Sequence, residues 1–141
     1  HDVIATLGFY ALTRLEFSLT SVAAVLTVAG YSINDTVVIY DRVRENLRKY
    51  KKMPILELLN LSVNETLSRT ILTGGTTILS VLAIALFGGE VLRAFALALI
   101  WGVVIGTFSS VYISLPVLYY FKLRDLDAIA PLEEPETAEK P

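Results

Sequence analysis

Three stretches of this chain, residues 17–34, 70–89 and 94–121, contain no Asp, Glu, Lys or Arg. A helix needs roughly 18 to 20 apolar residues to cross the hydrocarbon core of a bilayer, and each stretch is that long. The whole chain is 54% hydrophobic with a mean hydropathy of +0.59, which is too apolar for an ordinary soluble domain of 141 residues. The sequence therefore predicts an all-α fold, a polytopic bundle with three complete transmembrane helices.

The segments between these stretches set the predicted order along the chain. Residues 1–12 are apolar but cover only about 18 Å as a helix, so we expect the end of a truncated transmembrane segment. Pro54 suits the start of a short surface helix, and Ser62 with Glu65 forms a capping-box pattern that predicts a new helix start. The expected order is a truncated segment at 1–12, a periplasmic turn at 13–18, a transmembrane helix at 19–40, a cytoplasmic basic loop with a short surface helix at 41–61, a transmembrane helix at 62–87, a periplasmic turn at 88–90, a transmembrane helix at 91–121 and a disordered cytoplasmic tail at 122–141.

The orientation follows from the basic residues between the first two complete spans. One acid, Glu45, stands among six of them: Arg42, Arg44, Arg48, Lys49, Lys51 and Lys52. Loops rich in Lys and Arg stay in the cytoplasm, and Lys122 with Arg124 places the end of the last span on the same side, which predicts a multi-pass membrane protein with its C-terminus in the cytoplasm. A lipid-binding or ribosome-facing role for the same residues is also open, but topology alone explains them.

Composition argues against several kinds of function. The chain has no cysteine and one histidine, so thiolate and all-histidine metal sites are excluded. It also lacks G-x-S-x-G, H-E-x-x-H and a phosphate-binding glycine loop. We expect no enzymatic activity, no cofactor, no metal and no nucleic-acid partner.

Two charged residues, Asp35 and Arg69, lie within predicted transmembrane helices. A charge at the bilayer centre costs about 2.5–3.5 kcal/mol, so such a residue is a functional candidate. Asp35 lies 16 positions after Leu19 and Arg69 lies 18 positions before Phe87, or roughly 24 and 27 Å from the outer face. The two charges are expected at similar depth on antiparallel helices, where they can pair. The alternative places both at the inner interface, with Arg69 extending toward lipid headgroups.

Polar residues at helical spacing accompany both charges and could hold water or pass protons. Alternatively, their hydroxyls only bond to carbonyls four residues earlier in the same helix. These candidate supporting residues are Thr27, Tyr31, Asn34, Thr66, Thr73, Thr76, Thr77 and Ser80.

A stripe of small residues recurs at every fourth position of the last span. Such spacing leaves a groove in which another helix backbone can approach closely, and this predicts a helix contact with an unspecified partner. The general abundance of small residues in membrane helices is the alternative. The stripe consists of Ala94, Ala98, Gly102, Gly106, Ser110 and Ser114.

Several of these residues fall in longer motifs. Residues 30–46 read GYSINDTVVIYDRVREN, followed in order by Ser68-Arg69-Thr70, Thr76-Thr77 and Phe87-Gly88-Gly89-Glu90. In this order and spacing, residues 1 to about 124 resemble the SecF family of bacterial protein-export membrane proteins.

The resemblance implies one of two six-helix halves of a transporter core of the RND superfamily. SecF and SecD would act together beside the SecYEG channel, using the proton motive force to assist Sec-dependent protein translocation across the inner membrane. It also implies that Asp35 and Arg69 are the proton-pathway residues. The implied partners are SecD, SecYEG and other Sec accessory subunits, membrane lipid, and an exported polypeptide bound through a periplasmic domain outside this chain.

Two other functions remain open. A proton-coupled RND-type small-molecule exporter would also need intramembrane carboxylates, but it is expected to carry an adjacent Asp-Asp pair where this chain has Asn34-Asp35. A non-transporting membrane scaffold would tolerate neutralisation of Asp35.

Overall fold

The computed structural model describes residues 1–120, which form five α-helices with no strand among them. They are α1 (Asp2–Thr13), α2 (Leu19–Lys49), α3 (Ile55–Phe87), α4 (Gly89–Tyr112) and α5 (Ser114–Tyr120). Three helical segments are long and apolar enough to cross a membrane: Leu19–Lys49, Ile55–Phe87 and Gly89–Tyr120. The prediction of an all-α bundle with three complete spans is confirmed. The predicted tail at 122–141 and the last residue of the predicted 91–121 span lie outside the described residues.

The two longest helices extend well beyond the hydrocarbon thickness of a bilayer. α2 has 31 residues and α3 has 33, so at 1.5 Å per residue they reach about 46 and 50 Å. The basic residues lie at the end of α2 and in the turn before α3, at one end of the bundle that we call the basic end. Each of the two helices thus combines a charged part at the basic end with an apolar part that carries one charged residue, Asp35 in α2 and Arg69 in α3.

The start of α3 differs from the sequence prediction. A separate surface helix was expected before Ser62, but Ile55–Phe87 is one continuous helix. Ser62 is fully buried, and its hydroxyl donates to the Leu58 carbonyl oxygen at 2.8 Å instead of capping a new helix. Leu58 and Leu59 are also buried and pack with Ile39 and Val43 of α2. Burial of these leucines against α2 explains why the first two turns of α3 join the bundle.

The remaining helix ends have local causes. α2 begins after Ser18, whose backbone N–H donates to the Ser21 hydroxyl at 3.2 Å. Gly89, with φ of 74°, makes the tight turn between α3 and α4, a conformation that favours glycine. The interruption between α4 and α5 precedes Pro116, whose ring cannot donate to the carbonyl of Tyr112 and would crowd it.

α4 lies against the three other long elements. α2 and α4 run parallel, whereas α3 runs antiparallel to both. Near the end opposite the basic end, Val28 of α2 packs with Val81 of α3 and Ala96 and Leu99 of α4. α1 lies on the other side of α4, where Tyr10 packs with Ala24 and Ala98. This arrangement places Asp35 of α2 toward α3 and the small-residue stripe of α4 toward α2.

Candidate intramembrane carboxylate site

Asp35 is a buried carboxylate in the apolar part of α2. Its exposed fraction is 7%, and its Oδ1 atom accepts a hydrogen bond of 2.9 Å from the Thr70 hydroxyl of α3. Within residues 1–120, the buried Oδ2 atom has no hydrogen-bond partner. An ionised carboxylate buried with one oxygen unsatisfied is strongly disfavoured. The site can therefore accept a proton, or another donor, at Oδ2.

The expected direct pair between Asp35 and Arg69 is not present. None of the ion pairs found within residues 1–120 joins them, and Arg69 is exposed. The neighbouring residue, Thr70, faces Asp35 instead. Consecutive helix positions point about 100° apart, so α3 cannot direct both side chains at the same atom of α2. Asp35 thus lies level with the residue that follows Arg69, but the predicted pairing with Arg69 is not among the ion pairs of residues 1–120.

The face of α3 that meets α2 carries a small residue at every fourth position, three with a hydroxyl and the last a glycine: Ser62, Thr66, Thr70 and Gly74. All four are buried. Tyr31 of α2 packs at the upper end of this row, where its hydroxyl lies 3.5 Å from the place that a Cβ on Gly74 would occupy. The row therefore forms a narrow polar seam between α2 and α3, which we call the hydroxyl seam.

Most of the predicted supporting residues lie outside this seam and bond within their own helix. Thr27, Asn34, Thr73, Thr76 and Ser80 are exposed, Tyr31 and Thr77 are half-buried, and Thr66 is buried. The hydroxyls of Thr27, Thr66, Thr73, Thr76, Thr77 and Ser80 donate to carbonyl oxygens three or four residues earlier, at 2.7–3.2 Å. These hydroxyls therefore bond to carbonyls of their own helix, which was the predicted alternative to holding water or passing protons.

At the basic end, the seam finishes in a charged network. Buried Asn46 of α2 donates to the Ser62 hydroxyl at 3.0 Å and to Glu65 at 2.8 Å. Arg42 donates to Glu65 at 2.7 Å and to Glu45 at 2.5 Å. These bonds tie the ends of α2 and α3 together two to three turns beyond Asp35.

The small-residue stripe of α4 faces α2, with matching positions along two parallel helices. A Cβ on Gly102 would lie 2.1 Å from Val28 Cγ2, and one on Gly106 would lie 3.4 Å from Ser32 Cβ. Further along, the Ser110 and Thr36 hydroxyls are 3.0 Å apart, and the Tyr40 hydroxyl donates to the Ser114 carbonyl oxygen at 3.0 Å. Ala98 is buried and Ala94 half-buried, both nearer to α1, where the Tyr10 hydroxyl donates to the Ala94 carbonyl oxygen at 3.5 Å. The close helix contact is thus made within this chain.

A second carboxylate, Asp2 of α1, meets the same face of α2. Its Oδ2 atom accepts hydrogen bonds from the hydroxyls of Ser32 on α2 and Ser109 on α4, the latter at 2.9 Å. His1 Nδ1 lies 2.8 Å from Asp2 Oδ1. The side chain of Asp2 is 13% exposed, so α1, α2 and α4 meet around a largely covered acid.

Comparison with known proteins shows the family of this chain. The family model described as protein export membrane protein SecD/SecF, C-terminal, matches residues 1–124. The chain belongs to the SecD/SecF family. The predicted resemblance is confirmed, and the chain is a multi-pass membrane segment of that family.

Relatives in the SecD/SecF family share more than half of the aligned residues. A protein translocase subunit SecF from Rickettsia rickettsii is 60% identical over 121 residues, covering 86% of this chain and 39% of that protein. The SecF from Rickettsia akari is 59% identical over 124 residues, covering 88% of this chain and 40% of that protein. The chain therefore spans well under half the length of these relatives.

A solved structure shares the arrangement of helices. The crystal structure of SecDF in a super-membrane-facing form matches with a TM-score of 0.81 at 46% identity, covering 92% of this chain and 18% of that one. Sequence similarity and fold similarity thus indicate the same SecD/SecF family.

Reasoning from sequence missed the residues that contact the two carboxylates. Thr70, the partner of Asp35, was passed over because the helical face was counted from Arg69, one position away. The four-residue spacing of Ser62, Thr66, Thr70 and Gly74 could have revealed the seam. Ser32 and Ser109 gave no comparable signal, because no local pattern shows that a third helix brings Asp2 to both hydroxyls.

Proposed function

We propose that this chain is the C-terminal membrane part of a SecF subunit, which uses the proton motive force to assist Sec-dependent protein translocation. The name of the Rickettsia relatives, protein translocase subunit SecF, supports the role in translocation. The proton coupling rests on the buried carboxylate of Asp35. The location proposed for the protein is the bacterial inner membrane.

The observation that carries the proton coupling is the unequal state of the two Asp35 oxygens. Oδ1 accepts from Thr70, whereas buried Oδ2 has no partner within residues 1–120. A proton on Oδ2 neutralises the acid and removes the cost of an unpaired buried charge. When the proton leaves, the carboxylate needs a second donor, and helix movement that brings one to it is favoured. Binding and release of a proton at Asp35 is thereby linked to the position of α3.

Arg69 is the candidate for that second donor. It precedes Thr70 on α3 and points about 100° away from it, so rotation of α3 about its axis toward Arg69, whose side chain is long, would exchange the residue that bonds to Asp35. A guanidinium can hold a carboxylate with two parallel hydrogen bonds, which a hydroxyl cannot. One proton moving through 100 mV supplies about 2.3 kcal/mol, enough to bias such a rearrangement.

The exposed polar face of α3 supports SecD as the direct partner. Arg69, Thr73, Thr76 and Ser80 lie on this face with their side chains exposed. An arginine left in the hydrocarbon layer costs about 2.5–3.5 kcal/mol, so a polar partner that covers this face would be favoured. The second six-helix half of an RND-type core, supplied by SecD, fits that need. SecYEG and the exported polypeptide would engage parts of the complete complex outside this chain, and lipid would cover the apolar helix faces.

The test replaces Asp35 in the complete SecF protein, assembled with SecD in inverted membrane vesicles. Asp35→Asn should keep expression and assembly but abolish uncoupler-sensitive stimulation of export, because an amide cannot carry a proton between two states. Arg69→Lys should also fail, since an ammonium lacks the planar fork of guanidinium. Asp41→Asn is the matched control, because Asp41 is an exposed aspartate on the same helix. If Asp35→Asn retained full stimulation, the scaffold function would replace the proton-coupled one.

The proposed orientation places the basic end and the C-terminus in the cytoplasm. A single cysteine at Lys49 should then react only with reagents that reach the cytoplasm, and one at Glu90 only with reagents in the periplasm. Glu90 is preferred to Gly89 because Gly89 has a positive φ that other residues adopt at a cost. The reverse labelling pattern would invert the proposed topology.

A further inference from the structure

Asp2 is the second acid in the membrane-spanning part of the bundle, and the proposed function does not yet use it. Among the four helical segments 2–12, 19–40, 66–87 and 94–120, the sequence has only three charged residues: Asp2, Asp35 and Arg69. Asp2 Oδ2 receives hydroxyl donors from two other helices, through Ser32 and Ser109. Both serines are buried, with exposed fractions of 8% and 6%. Asp2 is therefore held at a three-helix junction by groups that are themselves enclosed.

The position of Ser32 links the two acids. Ser32 precedes Asp35 by three residues on α2, a rise of about 4.5 Å and about 60° around the helix axis, so the two side chains are neighbours on adjacent turns. Asp2 thus lies one helical turn farther from the basic end than Asp35 does. The other polar groups facing Asp2 are His1 on its own helix and Ser109 on α4, beside Gly106. The nearest acid on α2 is Asp35, and the titratable or charged side chains of α4 are Glu90 and Arg93 near its start and Tyr112 at its end.

We propose that Asp2 is a second proton-binding carboxylate, which exchanges a proton with Asp35 through the Ser32 hydroxyl. This inference rests on the proposed proton coupling at Asp35. In the ionised state, Asp2 Oδ2 accepts from both serines. A proton on Oδ2 turns that oxygen into a donor, so one serine, Ser32 in this proposal, must accept from it instead of donating to it. Ser32 is then free to turn its hydroxyl toward the unpartnered Oδ2 of Asp35.

The transfer balances without any other reactant. The protonated Asp2 gives its proton to Ser32 Oγ, and Ser32 gives its own hydroxyl proton to Asp35 Oδ2. Asp2 ends as a carboxylate, Asp35 as a neutral acid and Ser32 as an unchanged hydroxyl. With the proposed orientation, the proton moves from the periplasmic side toward the basic end.

A purely structural role for Asp2 makes different predictions. Hydrogen bonds between membrane helices contribute roughly 0.6 kcal/mol on average, so a simple clamp would be felt mainly as lost stability. Asparagine retains an oxygen that accepts from both serines, and a clamp would therefore tolerate Asp2→Asn. A proton carrier would not, because the amide cannot bind and release a proton at this position.

The experiment uses the complete SecF–SecD complex in proteoliposomes, with proton uptake followed by an internal pH-sensitive dye and stability followed by the unfolding midpoint. Asp2→Asn and Ser32→Ala should each reduce proton uptake by about tenfold or more, as expected for loss of a positioned proton-transfer group. Their unfolding midpoints should stay close to that of the parent. Ser110→Ala is the matched control, because it removes another buried serine hydroxyl between α2 and α4, bonded to Thr36 at 3.0 Å. It should leave proton uptake unchanged.

The outcomes separate this inference from the proposed function. If Asp35→Asn stops proton uptake while Asp2→Asn and Ser32→Ala do not, the role of Asp2 is refuted and that of Asp35 stands. If Asp35→Asn leaves uptake intact, the proposed function itself fails. Equal losses of stability and uptake in Asp2→Asn, Ser32→Ala and Ser110→Ala would assign Asp2 to packing alone.

Discussion

The two long interfaces of α2 are built in opposite ways. Toward α4, the backbones approach so closely that a Cβ on Gly102 would fall 2.1 Å from a methyl carbon of Val28. Toward α3, the hydroxyl seam leaves ordinary distances, and a Cβ on Gly74 would lie 3.5 Å from the Tyr31 hydroxyl. The close fit of small residues marks the first interface, whereas the second carries the hydrogen bond from Thr70 to Asp35.

This difference indicates which interface can move. Sliding α4 past α2 would press side chains against backbone where there is no free space. A second stable position of α4 relative to α2 is therefore disfavoured. A hydrogen-bonded seam can exchange one donor for another, as Thr70 and Arg69 would do at Asp35. We therefore expect α2 and α4 to move as a unit, with α3 rotating against them when the proton binds.

The largest expected effect comes from filling the close contact. Gly102→Ala should lower the unfolding free energy of the purified complex by about 2–3 kcal/mol, because the new methyl group overlaps Val28. Gly75→Ala is the control, since nothing lies within 4 Å of its added Cβ. Thermal unfolding in detergent measures both. Equal midpoints for the two variants would show that α2 and α4 separate easily, and would overturn the comparison.

An intermediate effect is expected at the hydroxyl seam. Thr70→Val removes the one donor that Asp35 has within residues 1–120, and a hydrogen bond of this kind contributes about 1–2 kcal/mol. Thr73→Val is the matched control, because its hydroxyl bonds only to carbonyls of its own helix. Thr70→Val should lower both the proton uptake and the unfolding midpoint. Thr73→Val should change neither quantity. A similar response from the two variants would mean that the seam does not distinguish one face of α3.

The smallest effect is expected at the basic end. Asn46→Ala removes the donor to Ser62 and Glu65, but Ser62 keeps its bond to Leu58 and Glu65 keeps its bond to Arg42. We expect a fall in the unfolding midpoint smaller than that of Thr70→Val. Asn60→Ala, at an exposed position of α3, should have no effect. If Asn46→Ala lowered the unfolding midpoint more than Gly102→Ala does, the polar network would stabilise the bundle more than the small-residue contact.

Sequence reasoning succeeded where the signal lies within one helix. The three uncharged stretches predicted three spans, and residues 30–46 indicated the SecF family. It also selected Asp35, because a charge in an apolar helix stands out without any partner being known. It failed for the start of α3, where Leu58 and Leu59 are drawn into the bundle by contacts with Ile39 and Val43 that no local pattern encodes.

By itself, the sequence determined the all-α fold and the number of complete spans, since bilayer thickness and helical rise constrain both locally, and its motifs indicated the family and the candidate carboxylate Asp35. Only the tertiary structure decided that Thr70 rather than Arg69 faces Asp35, that the small-residue stripe meets α2, and that Asp2 meets Ser32 and Ser109. The physical reason is rotation about the helix axis. A shift of one residue turns a side chain by about 100°, and only the packing of all the helices together fixes that angle.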